Sequence, residues 1–329
     1  MRIATWNVNS IRSRQSHLLR WLEQAKPDVL GLQETQVDDA QVPAAAMEAA
    51  GHRTVISGQK SYNGVALLSR EPLEEVRIGF DALLPGDEAA IELSQQKRVI
   101  SAWVDGVRVL NLYVPNGSGV GSEKYAYKLA WLDCLRRYLD VQREQGEPFC
   151  MLGDFNIGPE ARDLHNPERS TGGIMASDAE REALKACLGD DLRDAFRMFE
   201  QGSGHWSWWD YRSGAWNGDR GWRIDHLYLD EELQQRALAC EIHKSERGLE
   251  KPSDHAPVSV DLADETIEKE DEDLWLVTPP QHPLATEPAE RVGWIHRSSP
   301  GWGRACRDWR AARDQRPCAP AAWFPNPPG

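Results

Sequence analysis

Residues 149–156 read FCMLGDFN, an apolar run that gives way to Gly153, Asp154 and Asn156. A short apolar run that stops at glycine and polar residues is typical of a strand buried in a sheet. Six other segments have the same design, and the seven predicted strands are IATWNV (3–8), VLGLQE (29–34), GVALLS (64–69), VRVLNLYV (107–114), FCMLGDFN, RIDHLYL (223–229) and APVSVDL (256–262). Seven strands imply a substantial sheet.

Helical periodicity fills segments between these runs. One apolar stripe comprises Leu18, Trp21, Leu22 and Ala25, and a second comprises Leu129, Leu132, Leu135 and Leu139. A third helix is predicted to begin at Ser177, because Glu180 follows three residues later and completes a capping box. Helices that cover a sheet place the chain in the α/β or α+β class.

Bulk composition is typical of a soluble globular protein. Hydrophobic residues make up 40% and charged residues 27% of the 329 residues, which excludes disorder of the whole chain. No basic segment followed by a long apolar run opens the sequence, so neither a signal peptide nor a membrane span is expected. The six cysteines form no CxxC pair, which argues against zinc and favours a reducing, cytoplasmic location.

Net charge argues against one class of function. At −14 the chain is repelled by a polyanion, whereas a protein that coats DNA passively relies on Lys and Arg to neutralise phosphates. Acidic residues that hold metal ions also add negative charge at a binding site itself. The charge therefore disfavours a tight DNA coat and leaves a metal-dependent enzyme open.

The amino-acid composition changes after Leu262. Residues 264–273, DETIEKEDED, form an acidic run, and the rest is rich in Pro, Trp, Arg and Ala without periodicity. We expect a catalytic domain over residues 1–262 and a low-complexity, disordered extension over residues 263–329. The extension holds five of the 14 Trp residues, so an arm that binds DNA or a partner is the alternative.

Polar residues recur where the predicted strands end, a position from which side chains emerge into a loop-lined cleft. These residues are Asn7, Glu34, Tyr113, Asn116, Asp154, Asn156, Asp225, Asp254 and His255. A single Asn or Asp after a strand is more simply a turn residue. Turn chemistry does not require such residues at five separate strand ends, so the repetition favours one polar site.

Glu34, Asp154, Asp225 and Asp254 would need a cation if they converge. Two carboxylates about 4 Å apart repel by roughly 4 kcal/mol at an effective dielectric constant near 20, so four together carry raised pKa values or hold a metal ion. Oxygen ligands without cysteine suit Mg²⁺ or Mn²⁺. The implied reaction is phosphoryl transfer to water, in which Asp154 takes the proton of the water. Asn156 and His255 would donate to phosphate oxygens, and Asp225 would hold the imidazole.

Six motifs occur along the chain in order: WNVNSIR (6–12), LQET (32–35), YVPNG (113–117), GDFNI (153–157), RGWRIDH (220–226) and KPSDHAPV (251–258). Together they closely resemble the exonuclease III family of apurinic/apyrimidinic (AP) endonucleases, within the endonuclease/exonuclease/phosphatase superfamily. The resemblance covers residues 1 to about 262. It implies an α/β fold of the DNase I-like type, a four-layer sandwich of two packed β-sheets flanked by helices.

The resemblance also implies a divalent metal site. By similarity Glu34 is the main ligand, Asn7 lies beside it, and Asp254 is a second ligand or a carboxylate of the surrounding network. The residues expected around the metal are Asn7, Glu34, Asp154, Asn156, Asp254 and His255. The expected cofactor is Mg²⁺, with Mn²⁺ as the alternative.

Catalytic roles follow from the same resemblance. Asp154 would align the attacking water, Asn156 would bind phosphate, and Asp225 would pair with His255. Tyr113 would contact the scissile phosphate or assist the leaving group.

The loop HWSWWDYRSGAWNGDRGWRIDH, residues 205–226, holds five tryptophans, of which we expect two to pack in the core. Trp208, Trp222 and Ile224 match family positions that form a hydrophobic pocket for a deoxyribose without its base. A pocket too small for a base selects abasic nucleotides, because flipping costs least where no base is stacked.

Three further DNA contacts are expected outside this loop. They are Asn116, Arg12 in NSIRSR and Tyr62 in QKSYNGVALLS. Arg12 and Tyr62 equally suit ordinary solvated surface positions.

Two departures from the family pattern weaken the transfer of roles. Gln36 stands where the family has lysine, so a positive charge near the metal site is missing and metal preference is open. Ser10 replaces the usual glycine after NVN, and residues 162–175 match poorly, so contacts of that loop are not transferred.

The expected function is metal-dependent hydrolysis of DNA 5′ of abasic sites in base excision repair, with 3′-phosphodiesterase activity and, as an open point, 3′-to-5′ exonuclease activity. The expected partner is duplex DNA with abasic sites or blocked 3′ ends, without a membrane, and the expected state is a monomer. Two alternatives remain. A related phosphoesterase for a lipid, inositol or nucleotide phosphate suits the acidity, and a catalytically idle binding protein is disfavoured by the intact set of acid, amide and imidazole residues.

Overall fold

The computed structural model describes residues 1–264, which form two six-stranded β-sheets with helices outside. The strands are β1 (Arg2–Asn7), β2 (Val29–Gln33), β3 (Arg53–Ser57), β4 (Val65–Ser69), β5 (Glu74–Ile78), β6 (Val99–Val104), β7 (Val107–Tyr113), β8 (Phe149–Asp154), β9 (Arg193–Asp194), β10 (Asp225–Leu229), β11 (Ala237–Ile242) and β12 (Val258–Leu262). The helices are α1 (Gln15–Ala25), α2 (Ala44–Ala49), α3 (Glu88–Ser94), α4 (Glu123–Glu144), α5 (Pro167–Ser170), α6 (Asp178–Leu188), α7 (Ala195–Phe199) and α8 (Glu231–Arg236), and short 3-10 helices occupy Asp39–Gln41, Ala161–Asp163 and Lys244–Gly248. The extension expected over residues 263–329 lies outside the described residues, apart from its first two.

The order of the strands brings their functional ends to one edge. The first sheet has the order β11-β12-β1-β2-β4-β3, and the second has the order β5-β6-β7-β8-β10-β9. β1 and β2 run parallel, as do β7 and β8, so the carboxyl ends of each pair point the same way. β12 and β10 run antiparallel to β1 and β8, so their first residues lie beside those carboxyl ends.

Three apolar cores separate four layers. α1 packs Leu18, Trp21 and Leu22 against the outer face of the first sheet. α4 and α6 cover the outer face of the second sheet, and a third core fills the space between the sheets. Full burial of one such leucine stabilises the fold by about 2 kcal/mol. The four-layer α/β sandwich implied by the resemblance is therefore confirmed.

Side-chain amides join the two sheets across the central core. Nδ2 of Asn111 on β7 donates to the backbone oxygens of Leu32 and Ala66 in the opposite sheet, at 2.9 and 2.8 Å. Nε2 of Gln33 donates to Oδ1 of Asn111 at 2.6 Å. The sheets approach closely here, since a Cβ on Gly31 would lie 2.9 Å from Cγ of Asn111. We call these contacts the Asn111 bridge.

The seven predicted strands and three predicted helices are all present. The capping box is also confirmed, because Ser177 Oγ accepts from the Glu180 backbone and the Glu180 carboxylate accepts from the Ser177 backbone. Of the five strands without a prediction, β3, β5, β9 and β11 are the outer strands of the sheets and β6 is internal. No helix within residues 1–264 combines the length and the apolar character needed to cross a membrane.

Candidate active site

The polar residues predicted from the strand ends come together at one edge of the two sheets. Asp154 ends β8, and its partners in the sheet register are Tyr113 at the end of β7 and Asp225 at the start of β10. Asn7 ends β1 and Glu34 directly follows β2 in the other sheet. The site therefore spans both sheets, and its side chains project from rigid strand ends.

A single amide joins two carboxylates in this site. Nδ2 of Asn7 donates to Oε1 of Glu34 and to Oδ2 of Asp154, each at 2.9 Å. Oε1 of Glu34 also accepts from the Tyr113 hydroxyl at 2.8 Å, and Oε2 accepts from Nε2 of Gln36 at 2.9 Å. Gln36 therefore gives Glu34 a neutral donor where the family has a lysine.

His255 lies between two carboxylates. Its Nδ1 is 2.9 Å from Oδ2 of Asp225, and its Nε2 is 3.8 Å from Oδ2 of Asp154. Ser207 Oγ donates to Asp225 at 2.7 Å and fixes the position of that carboxylate. Because an ionised carboxylate only accepts, Nδ1 carries a proton and Nε2 is directed toward Asp154. All of these side chains are buried.

Burial and neighbouring charges shift the protonation of this group. Burial raises the pKa of Asp154 to about 7, although the nearby His255 opposes the shift. Burial by itself would lower the pKa of His255, but the carboxylates of Asp225 and Asp154 outweigh it and raise that pKa to about 10. Asp154 is thus able to take up a proton near neutral pH while His255 remains a donor.

Tyr113 is held in its protonated form. Burial, followed by the charge of Glu34, raises the pKa of the Tyr113 hydroxyl well above its ordinary value. The hydroxyl therefore acts as a hydrogen-bond donor at neutral pH.

Asp254 lies in the same network through its own donors. Nδ2 of Asn9 donates to Oδ1 of Asp254 and Nε1 of Trp208 donates to Oδ2, both at 3.0 Å. Oδ1 of Asn9 accepts from Gln36 at 3.3 Å, and Gln36 in turn contacts Glu34. Asn9 and Gln36 therefore connect the two acidic sides of the site.

Asn156 and Asn116 form a side-chain pair at the next corner of the site. Nδ2 of Asn116 donates to Oδ1 of Asn156 at 3.1 Å, and Nδ2 of Asn156 donates to the Val114 backbone oxygen at 3.0 Å. The Asn156 backbone has φ 49°, in the left-handed region that non-glycine residues enter at a cost. One amide hydrogen of Asn156 has no partner within residues 1–264.

The donor atoms fit a hard divalent cation. Glu34, Asp154 and Asp254 form no ion pair with a Lys or Arg in the part of the chain that the structure describes. The His255 imidazole, 3.8 Å from Asp154 and already paired with Asp225, does not balance their three negative charges. Their oxygens, with the amide of Asn7, are the ligand types that Mg²⁺ and Mn²⁺ accept. Asp154, Asp225 and His255 also place ligand atoms within 4.8 Å of one another, but Asp225 and His255 already bind each other.

The tryptophan-rich loop divides into core and surface residues. Trp206 and Trp209 are 6% and 0% exposed, so two of the five tryptophans lie in a core, as the sequence predicted. Trp208 and Trp222 are half-buried, with ring centroids 6.5 Å apart in an edge arrangement. Ile224 is only 1% exposed and offers little area to a bound sugar.

Positive charge is available beside the site in spite of the net charge. A cavity of about 450 Å³ adjoins Tyr113 and is lined by Arg98 and Lys124. The guanidinium of Arg98 lies 4.6 Å from the centroid of the Tyr113 ring. Arg12 is exposed and Tyr62 is 70% exposed, as expected for residues that contact a large ligand or only solvent.

Three residues of this region were missed by sequence reasoning. Asn9 follows Asn7 by two residues in NVN, and this spacing was the signal of a second amide at the end of β1. Ser207 lies between two tryptophans and carries no signal of its role. Lys128 on α4 is 0% exposed. It lies four residues before Leu132, and a charged residue within that apolar stripe was the sequence signal of its special role.

Comparison with known proteins agrees with this geometry. The sequence pattern of the Endonuclease/Exonuclease/phosphatase family matches residues 4–255. Exodeoxyribonuclease III of Haemophilus influenzae is 33% identical over 270 residues, which cover 78% of this chain and 98% of that protein.

Solved structures give the same result. The 3′ phosphatase NExo from Neisseria, bound to a product DNA hairpin, has a TM-score of 0.74 and 37% identity, over 80% of this chain and 99% of that one. An AP endonuclease from Archaeoglobus fulgidus has a TM-score of 0.74 and 36% identity, over 80% and 99% of the two chains.

The chain belongs to the endonuclease/exonuclease/phosphatase family, because the family pattern spans both sheets and every strand end of the site. Within that family it is a nuclease, a hydrolase of the exonuclease III type. The match to the exodeoxyribonuclease relatives covers 98% of their own length. The family, fold and enzyme class predicted from the six motifs are confirmed.

Proposed function

We propose that this enzyme is a metal-dependent DNA phosphodiesterase of base excision repair that hydrolyses the backbone 5′ of abasic sites. The proposal includes 3′-phosphodiesterase activity and 3′-to-5′ exonuclease activity on duplex DNA. The observation that carries it is the position of His255, which is bound to Asp225 at 2.9 Å and lies 3.8 Å from Asp154. The half-buried ring of Trp208 lies beside this imidazole, with centroids 6.5 Å apart.

Each side chain has a defined part in the proposed hydrolysis. Asp154 takes the proton from the attacking water, which its raised pKa permits near neutral pH. His255 donates from Nε2 to a non-bridging phosphate oxygen while Asp225 holds Nδ1. The free amide hydrogen of Asn156 donates to a second phosphate oxygen. The protonated hydroxyl of Tyr113 contacts the scissile phosphate or assists the leaving alkoxide.

Glu34, Asn7 and Asp254 would hold the cation, with Mg²⁺ as the proposed ion and Mn²⁺ as its substitute. The bound ion would neutralise charge on the phosphate oxygens and the leaving alkoxide. Gln36 and Asn9 orient these ligands through their hydrogen bonds. Asp154, Asn156 and His255 would lie around the bound ion.

The proposed substrate is duplex DNA with an abasic site or a blocked 3′ end. Trp208 and Trp222 present an aromatic surface to the sugar that lacks its base, and Ile224 lies buried near them. Arg98 and Lys124 offer charge to the strand. Further proposed contacts to the DNA are Arg12, Tyr62 and Asn116.

The wider setting of the enzyme is part of the proposal. Residues 1–262 would be the catalytic domain of a monomer, and residues 263–329 would be dispensable for catalysis. The cysteines of the described part, Cys134, Cys150, Cys187 and Cys240, form no disulfide, which suits a reducing cytoplasm.

A labelled duplex with one abasic analogue tests the function. We expect a nick 5′ of the analogue with Mg²⁺ and none with excess chelator, and gel mobility separates this nick from digestion at the ends. Faster turnover of a lipid, inositol or nucleotide phosphate than of abasic DNA would refute the proposal. Absence of cleavage on every substrate would instead favour a binding protein.

Deletion of residues 263–329 tests the proposed boundary. The truncated chain is expected to fold and to retain both the nicking rate and the affinity for abasic DNA. A loss of affinity with an unchanged rate at saturating DNA would make the extension a DNA-binding arm.

A further inference from the structure

A fully buried lysine lies directly beneath the phosphate-binding corner of the site. Lys128 on α4 is 0% exposed, and its partner Glu180 on α6 is also 0% exposed. Neither residue has a part in the hydrolysis described above. A buried ion pair contributes little to stability compared with a well-packed neutral pair, so stability alone gives weak reason for its presence.

The ammonium group of Lys128 uses all three of its hydrogens. It donates to the backbone oxygen of Asn116 at 3.2 Å, to the backbone oxygen of Asn156 at 2.8 Å, and to Oε1 of Glu180 at 2.5 Å. Within residues 1–264 neither backbone oxygen accepts another hydrogen bond. The lysine therefore fixes the separation of the loops after β7 and β8.

These two loops determine where the Asn156 amide points. Its Oδ1 accepts from the Asn116 side chain and its Nδ2 donates to the Val114 backbone oxygen, so both ends of the amide are oriented by the loop after β7. The left-handed backbone of Asn156, with φ 49°, needs surrounding contacts to hold it. Lys128 joins the two loops through their backbones, in addition to the two hydrogen bonds that the Asn156 side chain makes.

Glu180 holds the lysine from the opposite side. Its Oε1 also accepts from the Met175 backbone at 3.0 Å, and its Oε2 accepts from the Ser177 backbone and hydroxyl at 3.1 and 2.6 Å. The carboxylate is therefore fixed by Met175 and Ser177, just before α6, and the ammonium position is fixed by Glu180 and the two loop backbones.

We propose that Lys128 is a positioning residue that holds the Asn156 amide in place for the phosphate. The inference rests on the proposed function, because it assigns Asn156 to the phosphate. Lys128 touches no substrate and acts through the two loop backbones. The proposal predicts that loss of the Lys128 ammonium lowers the rate of the chemical step more than the affinity for DNA.

A neutral replacement of the whole pair separates positioning from stability. In the variant Lys128→Met with Glu180→Gln, we expect kcat on abasic DNA to fall about 10- to 100-fold, because a displacement of the Asn156 amide by about 1 Å would slow the reaction by that factor. KM should stay within about threefold, because ground-state binding is unchanged. A folded variant with the parent kcat would overturn the inference.

A double-mutant cycle with Asn156 tests the route of the effect. The Lys128 replacement should lower kcat in the parent but by less than about threefold in an Asn156→Ala background, because the amide to be positioned is absent. Equal fold losses in both backgrounds would refute positioning through Asn156. An Asn156→Ala variant with the parent kcat would instead contradict the assignment of Asn156 in the proposed function.

Two further variants keep the test decisive. Arg108→Met removes a buried cation at the opposite end of β7, away from both loops, so it should lower the melting temperature and leave kcat unchanged. If the neutral variants do not fold, Lys128→Arg keeps the charge opposite Glu180 but changes the donor geometry. A folded Lys128→Arg enzyme with unchanged kcat would also overturn the inference.

Discussion

The Nε2 atom of His255 lies 3.8 Å from Oδ2 of Asp154. This separation exceeds that of a good hydrogen bond, so the two groups are free to bind other atoms. An imidazolium that donates and a carboxylate that accepts therefore face one small volume at the edge of both sheets. This arrangement leads to the first two predictions.

Replacing Asp154 with asparagine should abolish catalysis and preserve binding. The amide cannot take the proton of the water, so we expect kcat to fall on the order of 10³-fold. Affinity for abasic DNA should be equal or tighter, because one negative charge near the phosphate is removed. Gel-based nicking rates and fluorescence anisotropy measure the two effects, and a kcat within tenfold of the parent would contradict the role of Asp154.

Asp225→Asn should move the basic limb of the pH profile to lower pH. The Asp225 carboxylate raises the pKa of His255, so its loss lowers that pKa and the imidazole gives up its proton earlier as pH rises. Nicking rates measured from pH 6 to about pH 10 test this sign. An unchanged basic limb would mean that His255 is not the donor.

Gln36→Lys should weaken the binding of the divalent ion. An ammonium next to Glu34 would oppose a cation, so we expect the half-saturating Mg²⁺ concentration to rise on the order of tenfold. Mg²⁺ titration of nicking and calorimetric Mn²⁺ binding both measure the shift. Gln36→Met is the matched control for loss of the amide without added charge, and an equal shift in both variants would remove charge as the cause.

Asp163→Asn should destabilise the protein at neutral pH and have less effect in acid. Burial raises the pKa of Asp163, but Arg223 and Arg197 outweigh it and hold that pKa below its ordinary value. The stabilisation is therefore complete above the unfolded pKa near about 4 and is lost as pH falls through the lower folded pKa. We expect a loss of about 3–5 kcal/mol at pH 7, as for other broken buried pairs.

Urea unfolding at pH 7 and at pH 3 measures this difference. The exposed pair of Asp210 and Arg212 is the control, since Asp210→Asn should change the free energy of unfolding by at most about 1 kcal/mol. A constant loss for Asp163→Asn across the pH range would contradict the linkage.

Ser10→Gly should stabilise the protein. Ser10 has φ 84°, a backbone conformation that glycine adopts freely and other residues adopt at a cost. We expect a gain of about 1 kcal/mol in the free energy of unfolding. Ser16→Gly within α1 is the control and should instead cost about 0.5–1 kcal/mol, because glycine disfavours a helix.

The sequence predicted the centre of the fold and site well for a physical reason. Strands buried on both faces are continuous apolar runs, so the polar residues Asn7, Glu34 and Asp154 stand out at their ends, and this repetition predicted that they share one site. The pairing of Asp225 with His255 was predicted from the residue types and again from the family resemblance, and the two side chains do contact each other.

The remainder depended on contacts that no local pattern encodes. Four of the missed strands border solvent, and β5 shows this in its mostly exposed residues. The buried state of Lys128 depends on Glu180, which is 52 residues away in sequence. Gln36 likewise reaches Glu34 and Asn9 through a backbone with φ 55°, which the sequence does not reveal.

The Asn111 bridge makes enzymatic turnover a sensitive reporter of native structure. Asn7 and Glu34 extend from one sheet, while Tyr113, Asp154 and Asp225 extend from the other. A partly melted molecule that kept each sheet but let them slide apart would retain its secondary structure and lose the aligned catalytic groups. Turnover should therefore disappear in such a loosened state before far-ultraviolet circular dichroism, which reports secondary structure, registers any change.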